Sequence, residues 1–249
     1  MKCEYQFPTI VAAAALAALL LVPSPGLAQG LGSAASYAVL AGSTITNTGA
    51  TTIVGDVGVS PGTAITGLPG GQPTGGVIHA GDAAAATAQG DLTTAYNFLA
   101  GMPCTTTNTG VDIGGTTVTP GVYCYASSAP INGAATLDAL GDTAAVFVFQ
   151  IGSTLLAADG CSVLLVNGAQ ARHVWWQVGT SATLGIGSAI QGNICADASI
   201  TFTTGATLVG RALARVGGVT LAGNTITGIN DHGTPTLSPT WGALKSLYR

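Results

Sequence analysis

Few residues in this 249-residue chain are equipped for bond-making or bond-breaking chemistry, and their placement narrows the choice. Hydrolysis of a polysaccharide needs paired carboxylates, or an acidic cluster beside a basic group. Asp138 and Asp142 stand near one bend, while Arg172, Arg211 and Arg215 are scattered behind them. Asp56 and Asp197 read as corner residues that bond nearby backbone. Arg211, ahead of Ala-Leu-Ala in a tight coil, reads as a structural hydrogen-bonding group rather than a catalytic one. His79, expected near a helix start, His173, beside two tryptophans, and His232 lack the spacing of metal ligands, so no metal or cofactor is expected. The run Gly67-Leu-Pro-Gly-Gly71 lacks the lysine of a phosphate-binding loop and reads as a turn.

The surroundings of these groups are nearly uncharged. Only 6% of residues are Asp, Glu, Lys or Arg, against about 25% in an ordinary globular protein. The net charge of −4 gives nucleic acid no cationic surface. Lys2, the apolar run Ile10 to Val22, then Pro23, Pro25 and the small site Gly26-Leu27-Ala28 have the layout of a secretory signal peptide over residues 1–28. The apolar run is shorter than the roughly 20 residues of a membrane helix. We therefore expect a secreted, extracellular monomer with no membrane association after cleavage. Cys3 leaves with the leader, and Cys104, Cys124, Cys161 and Cys195 remain. An even number in an exported chain points to disulfides. Three connectivities are open; Cys104 with Cys124 is favoured, because both flank one Gly/Thr-rich excursion.

The element that must position everything else is a repeat. Leu40-Ala-Gly-Ser-Thr-Ile-Thr46 recurs as Leu221-Ala-Gly-Asn-Thr-Ile-Thr227. An aliphatic followed by glycine recurs at one constant step, at Ile190/Gly192, Leu208/Gly210 and Ile226/Gly228. Three short β-type runs per coil of ~18–20 residues predict a triangular parallel β-helix over residues 29–232. Its interior should hold Leu184, Ile190, Phe202, Leu208, Leu221 and Ile226. A β-sandwich is the competing reading, but Asn-Gly and Asp-Gly hairpin turns are scarce. The segment of about 82–100 breaks the pattern. Ala85, Ala88, Leu92, Tyr96 and Leu99 follow helical spacing behind Asp82 as N-cap, with Gly101 and Pro103 as terminators. One apolar stripe predicts a long helix lying along the solenoid.

Sorting the runs into three columns gives two that are apolar on both sides of the strand in places. One has residues 146–149, 163–166, 183–184, 200–202 and 219–221; the other has residues 155–156, 175–178, 194–195 and 212–213. Helix or termini should partly cover both. The third points to one face open to water. It contains Ser188-Ala-Ile-Gln191, Thr207-Leu-Val209, Thr225-Ile-Thr227 and, through the N-terminal match, Thr44-Ile-Thr46 and Ala64-Ile-Thr66. Each alternates a buried aliphatic with small or hydroxylated neighbours. Thr183, Thr201 and Thr220 form a second threonine row, expected on a neighbouring face. Residues 233–249 are a Pro/Thr-rich tail.

Several stretches resemble the microbial ice-binding protein family, in which an α-helix flanks a β-helix. They include Leu40-AGSTITNTGATTIVGDVGVSPG-Thr63, Thr119-PGVY-Cys124, Val146-FVFQIGST-Leu155, Trp175-WQVGTSATLGIGS-Ala189 and Thr204-GATLVGRALA-Arg215. The resemblance implies a discontinuous right-handed β-helix whose N-terminal strands close one end beside later coils. It also implies adsorption to ice crystals through a flat face, inhibiting growth or recrystallisation. Some relatives carry Thr-Ala/Gly-x-Thr/Asn there, as do Thr63-Ala-Ile-Thr66 and Thr204-Gly-Ala-Thr207 here. The candidate ice-binding residues are thus Thr44, Thr46, Thr63, Thr66, Ser188, Gln191, Thr207, Thr225 and Thr227. Between Leu68 and Ile78 only a Gly/Pro linker stands where some relatives have a larger cap. A secreted β-helix adhesin and a polysaccharide-acting enzyme are the rival classes.

Overall fold

The computed structural model describes residues 30–229, so the expected leader and tail lie outside the described residues. Strands β1 (Tyr37–Ala41), β2 (Thr44–Thr48), β3 (Thr52–Val54), β4 (Asp56–Val59), β5 (Ala64–Thr66) and β6 (Ile78–Ala80) precede helix α1 (Ala83–Ala100). After it come β7 (Thr106–Thr107), β8 (Thr117–Val118), β9 (Gly121–Tyr125), β10 (Ala129–Ile131), β11 (Ala134–Asp138), β12 (Phe147–Ile151), β13 (Leu155–Ala157) and β14 (Ser162–Val166). The last third contains β15 (Val174–Val178), β16 (Ala182–Leu184), β17 (Ala189–Ala196), β18 (Ile200–Phe202), β19 (Thr207–Ala214), β20 (Val219–Ala222) and β21 (Thr225–Thr227).

These strands stack in parallel as the coils of a β-helix with three faces. The first face runs β6-β4-β1-β19-β17-β15-β12-β9-β7 and the second β10-β13-β16-β18-β20-β2-β5. The third is built from β8, β11, β14, the first halves of β17 and β19, then β21 and β3. β17 and β19 are long because each turns a corner from the third face onto the first, at Gly192 and Gly210. A Cβ on Gly192 (φ +112°) would meet Val174 at 2.8 Å, and one on Gly210 would meet the Gly192 carbonyl oxygen at 1.8 Å. The regular aliphatic/glycine beat in the sequence is this corner, repeated.

The coils are unequal. The step from Trp176 to its partner Ile194 is much shorter than the step from Phe149 to its partner Trp176. The stack is also discontinuous: β1, β2 and β3 lie on β19, β20 and β21, which come from the opposite end of the described chain. We call this junction the seam. The linker after β5 closes the nearby end itself. Leu68 packs on the core, the Gln72 side chain accepts from the Ile53 amide (2.8 Å), and the Thr74 amide donates to the Ile53 carbonyl (2.8 Å).

Leu184, Ile190, Phe202, Leu208, Leu221 and Ile226 are all buried, with Ile190, Leu208 and Ile226 in one register. Aromatic rings stack along the same axis, Phe149 on Trp176 at 4.2 Å between centroids. Helix α1 starts where expected, with Asp82 accepting from the Ala85 amide (2.8 Å). Its buried stripe of Ala85, Ala88, Leu92, Ala95, Tyr96 and Leu99 lies along the first face. The helix is ~27 Å long, and five strand spacings come to ~24 Å. It therefore covers Leu40, Leu213, Cys195, Trp175, Val148 and Val122 on six successive strands. Arg215 clamps it: the guanidinium lies 4.5 Å from the Tyr96 ring centre and 2.7 Å from Asp197. Cys104 and Cys124 form a disulfide just beyond the helix, while Cys161 and Cys195 are buried free thiols.

Candidate functional site

The seven-stranded second face carries no covering element among the described residues. Its inward positions, Ala129, Leu155, Ala182, Ile200, Val219, Ile45 and Ile65, form one register across all seven strands. The next residue of each strand points outward. In stack order these are Pro130, Leu156, Thr183, Thr201, Thr220, Thr46 and Thr66. Five threonines therefore stand in one unbroken file at the ~4.8 Å strand spacing. The Thr46 hydroxyl donates to that of Thr220 at 3.5 Å. Thr44, two residues before Thr46, and Thr48, two after it, are exposed on the same side, as β-strand alternation requires. Near the far end, the hydroxyls of Thr154 and Thr180 are 3.1 Å apart. No strand of this sheet contains an ionisable residue.

The third face is rougher. Its outward registers are Ala134–Ser162–Ala189–Thr207–Thr225–Thr52 and Gln191–Val209–Thr227–Val54, with Thr136 paired to Leu164 on the neighbouring strands β11 and β14. Leu164 and Val209, 48% and 40% exposed, interrupt the polar positions.

The nine residues grouped by sequence as one column therefore divide. Thr44, Thr46 and Thr66 belong to the second face, with Thr63 exposed at its margin just before β5. Gln191, Thr207, Thr225 and Thr227 belong to the third. Ser188 is fully buried at a corner. The grouping is corrected for a geometric reason: Leu40–Thr46 turns the corner from first face to second, whereas the matching Leu221–Thr227 turns from second to third. Thr183, Thr201 and Thr220, read as a separate row, share the file of Thr46 and Thr66. The signal that could have joined them is Thr180-Ser-Ala-Thr183, which repeats the spacing of Thr63-Ala-Ile-Thr66.

Ionisable groups sit at corners and beside the helix. Asp138 accepts from the Leu140 amide and the Asn167 side chain, Asp142 from the Ala144 amide, and Asp56 from the Val77 amide. Asp197, expected to bond backbone, instead pairs with Arg215. Buried Arg211 donates to the carbonyls of Ala35 (2.9 Å) and Ile229 and to the Asn193 side chain (2.8 Å), a structural tie as its sequence context implied. The Ser33 hydroxyl and amide hold the Asp91 carboxyl below its ordinary pKa, and the Ala85 amide followed by His79 does the same for Asp82.

A parallel, discontinuous β-helix with a helix along one face and an uncharged, uncovered threonine sheet on another is a solenoid whose most regular bare surface is that sheet. The ice-binding-like family profile matches residues 39–227, and the chain belongs to that family. It is 45% identical over 227 residues to an ice-binding protein of Nostoc sp. (strain HG1), covering 91% of this chain and 84% of that one. It is 35% identical to an ice-binding protein of Flavobacterium frigoris (strain PS1), covering 79% and 75%. Among solved structures, an ice-binding protein from an Antarctic biological consortium matches with TM-score 0.74 at 50% identity, covering 80% of this chain and 90% of that one. The ice-binding protein of the Antarctic ascomycete Antarctomyces psychrotrophicus matches with TM-score 0.78 at 41% identity, covering 81% and 98%.

Proposed function

We propose that this protein is a secreted, monomeric ice-binding protein that adsorbs to ice through the second face, slowing crystal growth or recrystallisation. The observation that carries the reading is the file Thr183–Thr201–Thr220–Thr46–Thr66, unbroken across five neighbouring strands. Ice offers no pocket and no charge, only a lattice of hydrogen-bonding oxygens. A binder must therefore present a rigid, repeating array and order water over it. Strand stacking supplies a repeat of ~4.8 Å in one direction and ~6.6–6.8 Å in the other. Threonine adds a hydroxyl and a methyl whose χ1 freedom is restricted. A sheet without ionisable groups imposes no competing hydration, and the packed aliphatic core behind it resists deformation.

The names of the relatives support the activity, and the contrast between the two bare faces supports the choice of face. Osmometry on the purified chain tests the activity: a gap between melting and growth temperatures, with faceted crystals, is expected. A parallel assay for sugar release from polysaccharides addresses the enzyme class. Round crystals that grow freely at the melting point would remove the proposal.

A further inference from the structure

The threonine file crosses the seam between Thr220 and Thr46, where no covalent connection holds the two strands in register. At the adjacent corner, between second and third faces, three buried polar side chains bridge that junction. The Asn224 side-chain amide donates to the carbonyls of Thr203 (2.7 Å) and Ala206 (3.1 Å), and its oxygen accepts from the Ala222 amide. The backbone amide of Asn224 donates to the Thr51 hydroxyl (3.1 Å), which donates in turn to the Asn47 side-chain oxygen. Asn47 then donates to the carbonyls of Gly49 (2.9 Å) and Gly67 (2.8 Å). The relay spans four coils, from the corner after β18 to the corner after β5. Asn47, Thr51 and Asn224 are 7%, 2% and 1% exposed. Each side-chain donor is used and each side-chain oxygen accepts, so the array has one arrangement and little freedom to slide.

We infer that Thr51, with Asn47 and Asn224, is a positioning group for ice adsorption: it locks the register of Thr46 against Thr220 and so keeps the five threonines in one file. This rests on the second-face reading. Thr51 is buried at the corner rather than in the threonine file, and its hydroxyl is the side-chain link from the Asn224 amide to Asn47. Without it the backbone ladders of β1 on β19, β2 on β20 and β3 on β21 alone hold the file of three against the file of two, with no side-chain lock at the corner.

The test compares Thr51→Val, which keeps the shape and removes the hydroxyl, with Thr51→Ser, which restores the hydroxyl. Thermal hysteresis is read just below the melting point of ice, at matched concentrations of protein shown to be folded by circular dichroism. A residue that only stabilised the fold would lower the melting temperature and leave hysteresis per folded molecule unchanged. We expect Thr51→Val to lose about half or more of its hysteresis, because a site whose support is loosened no longer holds its geometry, and Thr51→Ser to recover it. If Thr51→Val does not fold, Asn47→Ala, which cuts the relay beyond Thr51, carries the same expectation. Thr220→Tyr serves as the control for the face. Full hysteresis in folded Thr51→Val, with Thr220→Tyr inactive, overturns the positioning role alone. Full hysteresis in Thr220→Tyr overturns the face and the inference built on it.

Discussion

The first and second faces share an interior and differ outward. Both are parallel sheets, and both bury an aliphatic or aromatic row in the same core. Outward, the first presents Leu40, Leu213, Cys195, Trp175, Val148 and Val122 to the helix; the second presents threonine to solvent. The difference shows that the coil needs only its inward residues to fold, so the outward rows are free to match whatever lies opposite. Carbon matches a helix. Polar groups also tie the helix down: Gln150 on the first face donates to the carbonyls of Leu99 and Met102 at its C-terminal end (2.6 and 2.8 Å), and Ser33, in the short 3-10 turn ahead of β1, donates to Asp91 (2.6 Å).

That contrast predicts unequal costs for substitution. Leu213→Asp would bury a carboxylate under the helix, and we expect about 3 kcal/mol or more of destabilisation, seen as a large drop in melting temperature. In the core that both sheets share, Leu208→Ala should cost about 2–5 kcal/mol through the cavity it leaves, measurable by denaturant unfolding.

Acid should also separate the two faces. The carboxyls of Asp82 and Asp91 have folded pKa values below their unfolded value of about 3.9, held down by the bonds described above. Their stabilisation is therefore fully present above that value and is lost as pH falls through the folded values. Melting temperature should decline as pH falls below about 4. Hysteresis per folded molecule should stay flat from there to alkaline pH, because no strand of the second face titrates. A step in activity near neutral pH would break the comparison.

The sequence made the first face far more legible than the second. Ala85, Ala88, Leu92, Tyr96 and Leu99 declare a helical stripe, and the outward carbon at Trp175 and Leu213 points to cover. By the same sorting the column of Thr183, Ile200 and Val219 should also be covered in part, yet it belongs to the bare second face. The core was legible through the same alternation, and the Cys104–Cys124 pair through the excursion it flanks. Two physical features hid the phase of the second face. Wide coils such as Phe149 to Trp176 break the regular count. A triangular solenoid also has three corners of like chemistry, so the likeness of Leu40–Thr46 to Leu221–Thr227 identifies a corner without saying which one. The discontinuity then joins Thr46 to Thr220 from opposite ends of the described chain, a pairing that no local pattern encodes.

Outward side chains on either bare face, exposed or half-buried, contribute little to stability, so tyrosine substitutions there should shift unfolding by no more than about 0.5 kcal/mol while testing which face meets ice. Thr201→Tyr on the second face and Thr207→Tyr on the third make the decisive pair, both measured for thermal hysteresis and crystal shape. The account predicts that Thr201→Tyr abolishes both, because one bulky ring lifts the whole file away from the lattice, and that Thr207→Tyr keeps them. Retained ice shaping in Thr201→Tyr, with loss in Thr207→Tyr, would contradict it and move the site to the third face.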